Sequence, residues 1–116
     1  ADESCIVEND VEKCALHCNG INIKLMKCGS LFEAIKMVKM ARERDMQIML
    51  GCMIESSVAI TAAAHISPLV DYADLDGNLL ISNDPYKGVV VENGRLTLPS
   101  SNGLGISLVN NDTSLM

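Results

Sequence analysis

Charged and thiol side chains close four short stretches of this chain: Ala1-Asp2-Glu3-Ser4, Ile21-Asn22-Ile23-Lys24-Leu25-Met26-Lys27-Cys28-Gly29, Leu50-Gly51-Cys52-Met53-Ile54-Glu55 and Tyr72-Ala73-Asp74-Leu75-Asp76-Gly77. Apolar strand patterns that end this way mark where a parallel α/β barrel keeps its chemistry, so the pattern reads as the back end of an enzyme. On an extended strand alternate side chains share a face, which groups Asn22, Lys24 and Met26 and puts Lys27 opposite. By that rule only one of the two lysines enters the interior with this set. The same period gives Asp74 and Asp76 a common direction.

The elements that must position these groups alternate. Asn9 or Asp10 caps a first helix, in which Val11, Cys14, Ala15 and Cys18 recur at helical spacing and which Gly20 ends. Residues 21–27 are too short and too apolar for an amphipathic helix and read as a buried strand. Ser30-Leu31-Phe32-Glu33 has the form of a capping box, opening a helix over residues 31–44. Residues 47–53 form the next strand, Ser56 or Ser57 caps a helix carrying Val58, Thr61, Ala62 and His65 that stops near Pro68, and residues 70–75 close the series.

This β-α-β-α-β order implies parallel strands joined by right-handed crossovers. The pattern then changes to two β segments around Asn93-Gly94, a hairpin signal over residues 89–98. Gly103-Leu104-Gly105-Ile106 reads as a closing loop, and residues 110–116 as a loose end. The chain is therefore expected to divide into a partial (β/α) barrel over residues 1–82 and a C-terminal hairpin and tail over residues 83–116.

A complete eight-stranded α/β barrel needs about 250 residues, so 116 residues are expected to be only part of one. The opening Ala1-Asp2-Glu3-Ser4, without Met, points the same way. Hydrophobic content of 48% with 21% charged residues fits a buried core rather than disorder. A net charge of -6 with no basic stripe argues against nucleic acid as a partner. No apolar run approaches the roughly 20 residues that cross a bilayer, and no signal-peptide pattern opens the chain, so no membrane partner and a cytoplasmic location are expected. The five cysteines, odd in number and set among apolar neighbours, fit buried thiols in a reducing compartment. Cys14, His17 and Cys18 lack a second ligand pair at zinc-site spacing and are read as structural.

The run from Ile21 to Gly29, followed by Leu50-Gly51-Cys52-Met53-Ile54-Glu55-Ser56 and Ile60-Thr61-Ala62-Ala63-Ala64-His65, resembles the C-terminal part of the dipeptide epimerases of the L-Ala-D/L-Glu type. These belong to the muconate-lactonizing subgroup of the enolase superfamily. The resemblance covers essentially the whole chain, from the end of the fifth barrel strand through the eighth to the segment that returns toward a capping domain.

It implies a Mg²⁺-dependent transfer of a proton at the α-carbon of a dipeptide's C-terminal residue, with a lysine on each face and the ion on the carboxylate. Removing a proton beside a carboxylate builds up negative charge that a divalent ion offsets, while lysine serves as base. Residue by residue, the resemblance implies that Asp2 is one of three carboxylate ligands to Mg²⁺, a hard cation that prefers oxygen. Lys24 matches one of the two acid/base lysines, with a pKa lowered by partial burial near a cation. Asp74 and Asp76 match the pair that binds the substrate ammonium, and Cys52, Met53 and Ile54 the positions that contact the substrate carboxylate and backbone.

The implied partners are a small dipeptide and the N-terminal half of the enzyme, which would bring the second-strand lysines, two more metal carboxylates and the cap. A single carboxylate does not hold Mg²⁺ at useful strength, so the chain alone is expected to be inactive. Its open strand edge is expected to favour association into an oligomer.

Taken singly, each feature has a plainer explanation. A strand lysine is usually solvated, Asp-x-Asp-Gly is often a turn, and an Asp just after a strand is an ordinary helix cap. His65 in its Ala-rich helix reads as packed, and Met37, Met40, Met46, Met49 and Met53 as core filler. Their ordered combination outweighs these explanations. Two alternatives stay open: another superfamily member, such as a cycloisomerase or o-succinylbenzoate synthase, and a non-catalytic half-barrel used for assembly.

Overall fold

The computed structural model describes residues 1–109; the expectation for residues 110–116 falls outside them. In chain order the elements are α1 (Glu8–Ala15), β1 (Gly20–Lys24), α2 (Leu25–Cys28), α3 (Leu31–Arg42), β2 (Gln47–Gly51), α4 (Ser57–Ile66), a 3-10 turn (Ser67–Leu69), β3 (Tyr72–Ala73), a second 3-10 turn (Gly77–Leu80), β4 (Tyr86–Lys87), β5 (Val90–Glu92), β6 (Arg95–Thr97) and β7 (Ser107–Leu108).

β1, β2 and β3 lie side by side and parallel, with Lys24 opposite Gly51 and Leu50 opposite Ala73. Parallel neighbours need a crossover, and α3 and α4 provide it, as the alternation predicts. Ala1 adds one residue of a further strand beside β1, its carbonyl accepting from the Asn22 amide at 2.8 Å. All four chain segments thus point their C-terminal ends the same way.

The strands alternate sharply between their faces. Ile21 and Ile23 of β1 with Ile48 and Leu50 of β2 are buried against Ala34, Met37, Val38 and Ala41 of α3 and Ile60, Ala63 and Ala64 of α4. On the other face Asn22, Gln47, Met49 and Tyr72 line an open concavity of about 230 Å³. The sheet is therefore packed by helices on one side and open on the side that becomes a barrel interior.

Several boundaries differ from expectation for identifiable reasons. The strand expected over residues 21–27 stops at Lys24, and the chain winds into the single turn α2, closed by Gly29 at φ 84° whose amide donates to the Leu25 carbonyl at 2.8 Å. The strand expected over residues 70–75 shrinks to Tyr72–Ala73. Just before it, the Asp71 side chain takes a ladder donor, accepting from the Ile48 amide at 2.7 Å. α1 starts after Val7, with Asp10 accepting from the Ile6 and Val7 amides at 3.1 Å from inside the helix, and it ends well before Gly20, which opens β1.

Only half of the expected capping box forms. Ser30 Oγ accepts from the Glu33 amide at 3.1 Å, while Glu33 Oε1 accepts from the Glu8 amide at 2.8 Å and so ties α3 to the start of α1. Ser56 makes no side-chain cap on α4; Asp84 Oδ2, far along the chain, accepts from the Ser57 amide at 2.6 Å instead. The Asn93-Gly94 hairpin forms as read, with β5 and β6 antiparallel and both turn residues at positive φ. After the expected closing loop, β7 pairs antiparallel with β4, a contact with no clear signal in the sequence.

Candidate active site

Where β1 ends, two lysines converge on one carboxylate. Lys24 Nζ lies 2.9 Å from Asp2 Oδ2 and 3.6 Å from Glu3 Oε1. Lys27 Nζ pairs with Asp2 Oδ1 and also donates to the Asp2 main-chain carbonyl at 2.8 Å. The side chains of Lys24, Lys27 and Asp2 are 15%, 7% and 40% exposed, so Lys27 is the most enclosed of the three. Strand alternation had put Lys27 on the opposite face. The period changes from two to 3.6 at Leu25, and three residues along a helical turn return Lys27 to the side of Lys24.

The electrostatics follow from this pairing. Partial burial pushes the Asp2 carboxyl up, but the hydrogen bonds from Lys27 and Lys24 outweigh it and hold the group at about 2. Lys24 is raised above the ordinary lysine value, chiefly by its hydrogen bond to Asp2 and against the effect of burial. Within this chain the shift runs opposite to the lowered value expected beside a bound cation. The Asp2 carboxylate stabilises the ammonium form of Lys24.

A second group gathers at the ends of β2 and β3. Asp74 and Asp76 lie past β3 rather than in it, both exposed on either side of the buried Leu75, and Asp76 has left the extended backbone at φ -104°, ψ 0° where the second 3-10 turn begins. Cys52 Sγ reaches Asp76 Oδ1 at 3.9 Å, its thiol pushed up by burial and therefore a donor. Gly77 permits this approach: a Cβ there would fall 2.0 Å from the Met53 carbonyl oxygen and 3.2 Å from Cys52 Sγ. Met53 and Ile54 stand exposed on the rim, the Met53 amide fixed by buried Glu55 at 2.9 Å. Asp74, Asp76, Val91 and Leu96 border a hollow of about 180 Å³ between this loop and the hairpin.

The structure thus brings Asp2 together with Lys24, and Asp76 with Cys52. Among the described residues no hydrogen bond or ion pair joins the two groups; they are related through the sheet, in which Lys24 faces Gly51 and Leu50 faces Ala73. Nor do the described residues include three His, Cys, Asp or Glu side chains that could hold a metal ion. Asp2 fits one ligand of such a site, being ionised and set at a strand end.

Asn22 and Gly77 carry no role expected from the sequence, and Lys27 was expected on the opposite face. Gly29 followed by the capping Ser30 is the signal that could have placed a helical turn, and with it Lys27, after Lys24. Away from the site, Cys14 Sγ donates to the Ser4 carbonyl at 3.6 Å and the Cys5 thiol is pushed up to about 12 by burial and by Cys14 beside it. His65 Nε2 meets the Leu104 carbonyl at 3.2 Å, joining α4 to the C-terminal segment.

The "Enolase C-terminal domain-like" family model matches residues 1–112. The chain is 55% identical over 106 residues to an L-Ala-D/L-Glu epimerase of Bacteroides thetaiotaomicron, covering 91% of this chain and 28% of that protein. It is 52% identical over 109 residues to an L-Ala-D/L-amino acid epimerase of Maribacter sp., covering 93% of this chain and 32% of the relative. Among solved structures, a substrate-liganded L-Ala-D/L-Glu epimerase from Bacillus subtilis superposes with a TM-score of 0.84 at 33% identity, over 91% of this chain and 31% of that one. A dipeptide epimerase from Methylococcus capsulatus complexed with Mg and L-Arg-D-Lys gives 0.85 at 38% identity, over 91% and 32%. The chain spans about a third of the length of the relatives it matches. The chain belongs to the enolase C-terminal domain-like family, as part of a longer barrel-containing architecture.

Proposed function

We propose that this chain forms the C-terminal part of a Mg²⁺-dependent dipeptide epimerase of the L-Ala-D/L-Glu type. The observation that carries the reading is the 2.9 Å contact between Lys24 and Asp2 at adjacent strand ends, one acid/base group beside one metal-ligand carboxylate. Mg²⁺, when bound, would offset the negative charge that develops on the substrate carboxylate. Asp2 would be one of its oxygen ligands, the others coming from strands outside this chain. By itself, then, the chain is expected to be inactive.

Lys24 holds a proton at Nζ and delivers it to one face of the α-carbon, while a lysine of the remaining barrel removes the proton on the other face. In the reverse direction Lys24 acts as base, which requires that it lose the Asp2 carboxylate as partner. Asp74 and Asp76 take the substrate ammonium through charge-assisted hydrogen bonds. From β1 to β3 is two strand spacings, on the order of 10 Å. That span suits a dipeptide whose Cα atoms are about 3.8 Å apart, with a hydrogen bond at each end. Cys52, Met53 and Ile54, between the two groups, line the middle of the substrate. A reducing, cytoplasmic setting fits the five free thiols.

The test is a chimera in which this chain replaces the matching C-terminal segment of the Bacteroides thetaiotaomicron relative. Proton NMR in D₂O should show Mg²⁺-dependent loss of the α-proton of the C-terminal residue of L-Ala-L-Glu. A folded chimera that exchanges no α-proton, beside an active parent, rejects the proposal. Exchange that survives replacement of both Asp74 and Asp76 by Asn points instead to a substrate without an ammonium group.

A further inference from the structure

Asn22 has no role in the reading above, yet its carboxamide touches the carboxylate proposed as a metal ligand. Its Nδ2 donates at 3.3 Å to Asp2 Oδ2, the same oxygen that Lys24 approaches at 2.9 Å. The other carboxylate oxygen, Oδ1, belongs to Lys27. Asp2 is thus gripped at each oxygen from β1 and the turn that follows it.

The seat of Asn22 is shaped by the neighbouring strand. A Cβ at Gly51 would stand 2.6 Å from Asn22 Oδ1 and 2.9 Å from its Nδ2, so any side chain at that position expels the carboxamide. Glycine weakens a strand interior, and here its use is to let another group approach closely. Asn22 Oδ1 is buried without a hydrogen-bond partner among the described residues. Buried amide oxygens are normally paired.

We propose that Asn22, seated by Gly51, is a positioning residue whose Nδ2 fixes Asp2 Oδ2 for the metal. Asp2 then takes a single rotamer when the barrel closes, and ligand groups held by outer partners in this way bind metal more tightly. This rests on the epimerase reading, but its test does not depend on turnover.

In the same chimera, Mn²⁺ binding is followed by the EPR signal of the free ion for Asn22→Leu and Gly51→Ala. Each is expected to weaken Mn²⁺ binding by about tenfold to a hundredfold, with the melting temperature in chelator unchanged and kcat restored at saturating metal. Gly51→Ala is the sharper variant, because it displaces Asn22 without touching Asp2. Where Asn22→Leu does not fold, Asn22→Ser occupies the seat and carries the same measurement. Unchanged Mn²⁺ affinity in the variants, or a loss of melting temperature without a loss of affinity, overturns the positioning role. A chimera that binds Mn²⁺ but turns over no dipeptide counts against the epimerase reading alone.

Discussion

The two ends of the proposed site are built differently. Around Asp2 the carboxylate receives two ammonium groups and an amide, on a strand with five paired residues whose back is buried against α3. Around Asp76 a thiol contact at 3.9 Å and a close glycine do the positioning, on a strand of two residues beside a hairpin whose residues are exposed or half-buried. The first is suited to holding a metal ligand and a proton donor in fixed relation, which proton transfer demands. The second has few buried contacts of its own.

The largest test of this contrast removes the proton donor. Lys24→Ala in the chimera is expected to slow α-proton exchange by roughly 10²- to 10⁴-fold while dipeptide binding is retained. Exchange at the parent rate would show that the chemistry does not pass through β1. Next in size is packing. Ile48→Ala in β2 should cost about 2–5 kcal/mol in urea denaturation, whereas Val91→Ala, half-buried in the hairpin, should cost roughly 1 kcal/mol or less. Equal losses would erase the distinction between a firm barrel wall and a lightly held C-terminal segment.

Much of the barrel wall could be read from periodicity, because β1 and β2 alternate buried and open residues and the helices between them carry their own stop signals. What escaped is where the period changes. Alternation was carried through Met26 and Lys27 although the extended backbone ends at Lys24, and the error misplaced a lysine that contacts Asp2. The caps failed for a related reason: Ser56 and Glu33 were judged by local spacing, while their work is done by or directed to residues distant in sequence, Asp84 and Glu8. The lowered Lys24 pKa was expected beside a bound cation, whereas within this chain its nearest partner is the Asp2 carboxylate. Asn22 gave no signal, since a polar residue in a strand is distinguished only by what stands opposite, here Gly51.

Asp76→Asn probes the looser end. It keeps the shape and removes the charge, and a hydrogen bond to a charged group contributes about 1.5–3 kcal/mol, so kcat/KM for a dipeptide should drop by about one to two powers of ten. The loss should fall mainly on KM, with metal affinity unaltered. If metal affinity drops as well, the two groups are coupled across β2 and the division drawn above is too sharp.

The smallest effect is on acid stability, and it separates the same regions. Asp71 is lowered below the ordinary carboxylate value chiefly by its hydrogen bond from Arg42 and then by the Ile48 amide. Asp84 is pushed up by burial, but its bonds to Ser57 and Tyr86 outweigh this, and the net shift is also downward. A carboxyl depressed in the folded state stabilises it above the unfolded value of about 3.9, and that contribution is lost as pH falls through the folded value. The urea midpoint should therefore decline as pH is lowered from about 5, and Asp71→Asn and Asp84→Asn should each flatten part of that decline. Salt should weaken the Asp71 share, which depends on an exposed Arg42 pair at 2.8 Å, more than the Asp84 share, which rests on bonds to backbone amides. If Asp84→Asn removes the whole decline and Asp71→Asn none, acid sensitivity belongs to the joint between α4 and the C-terminal segment, and the barrel wall holds its sheet without the Asp71 carboxylate.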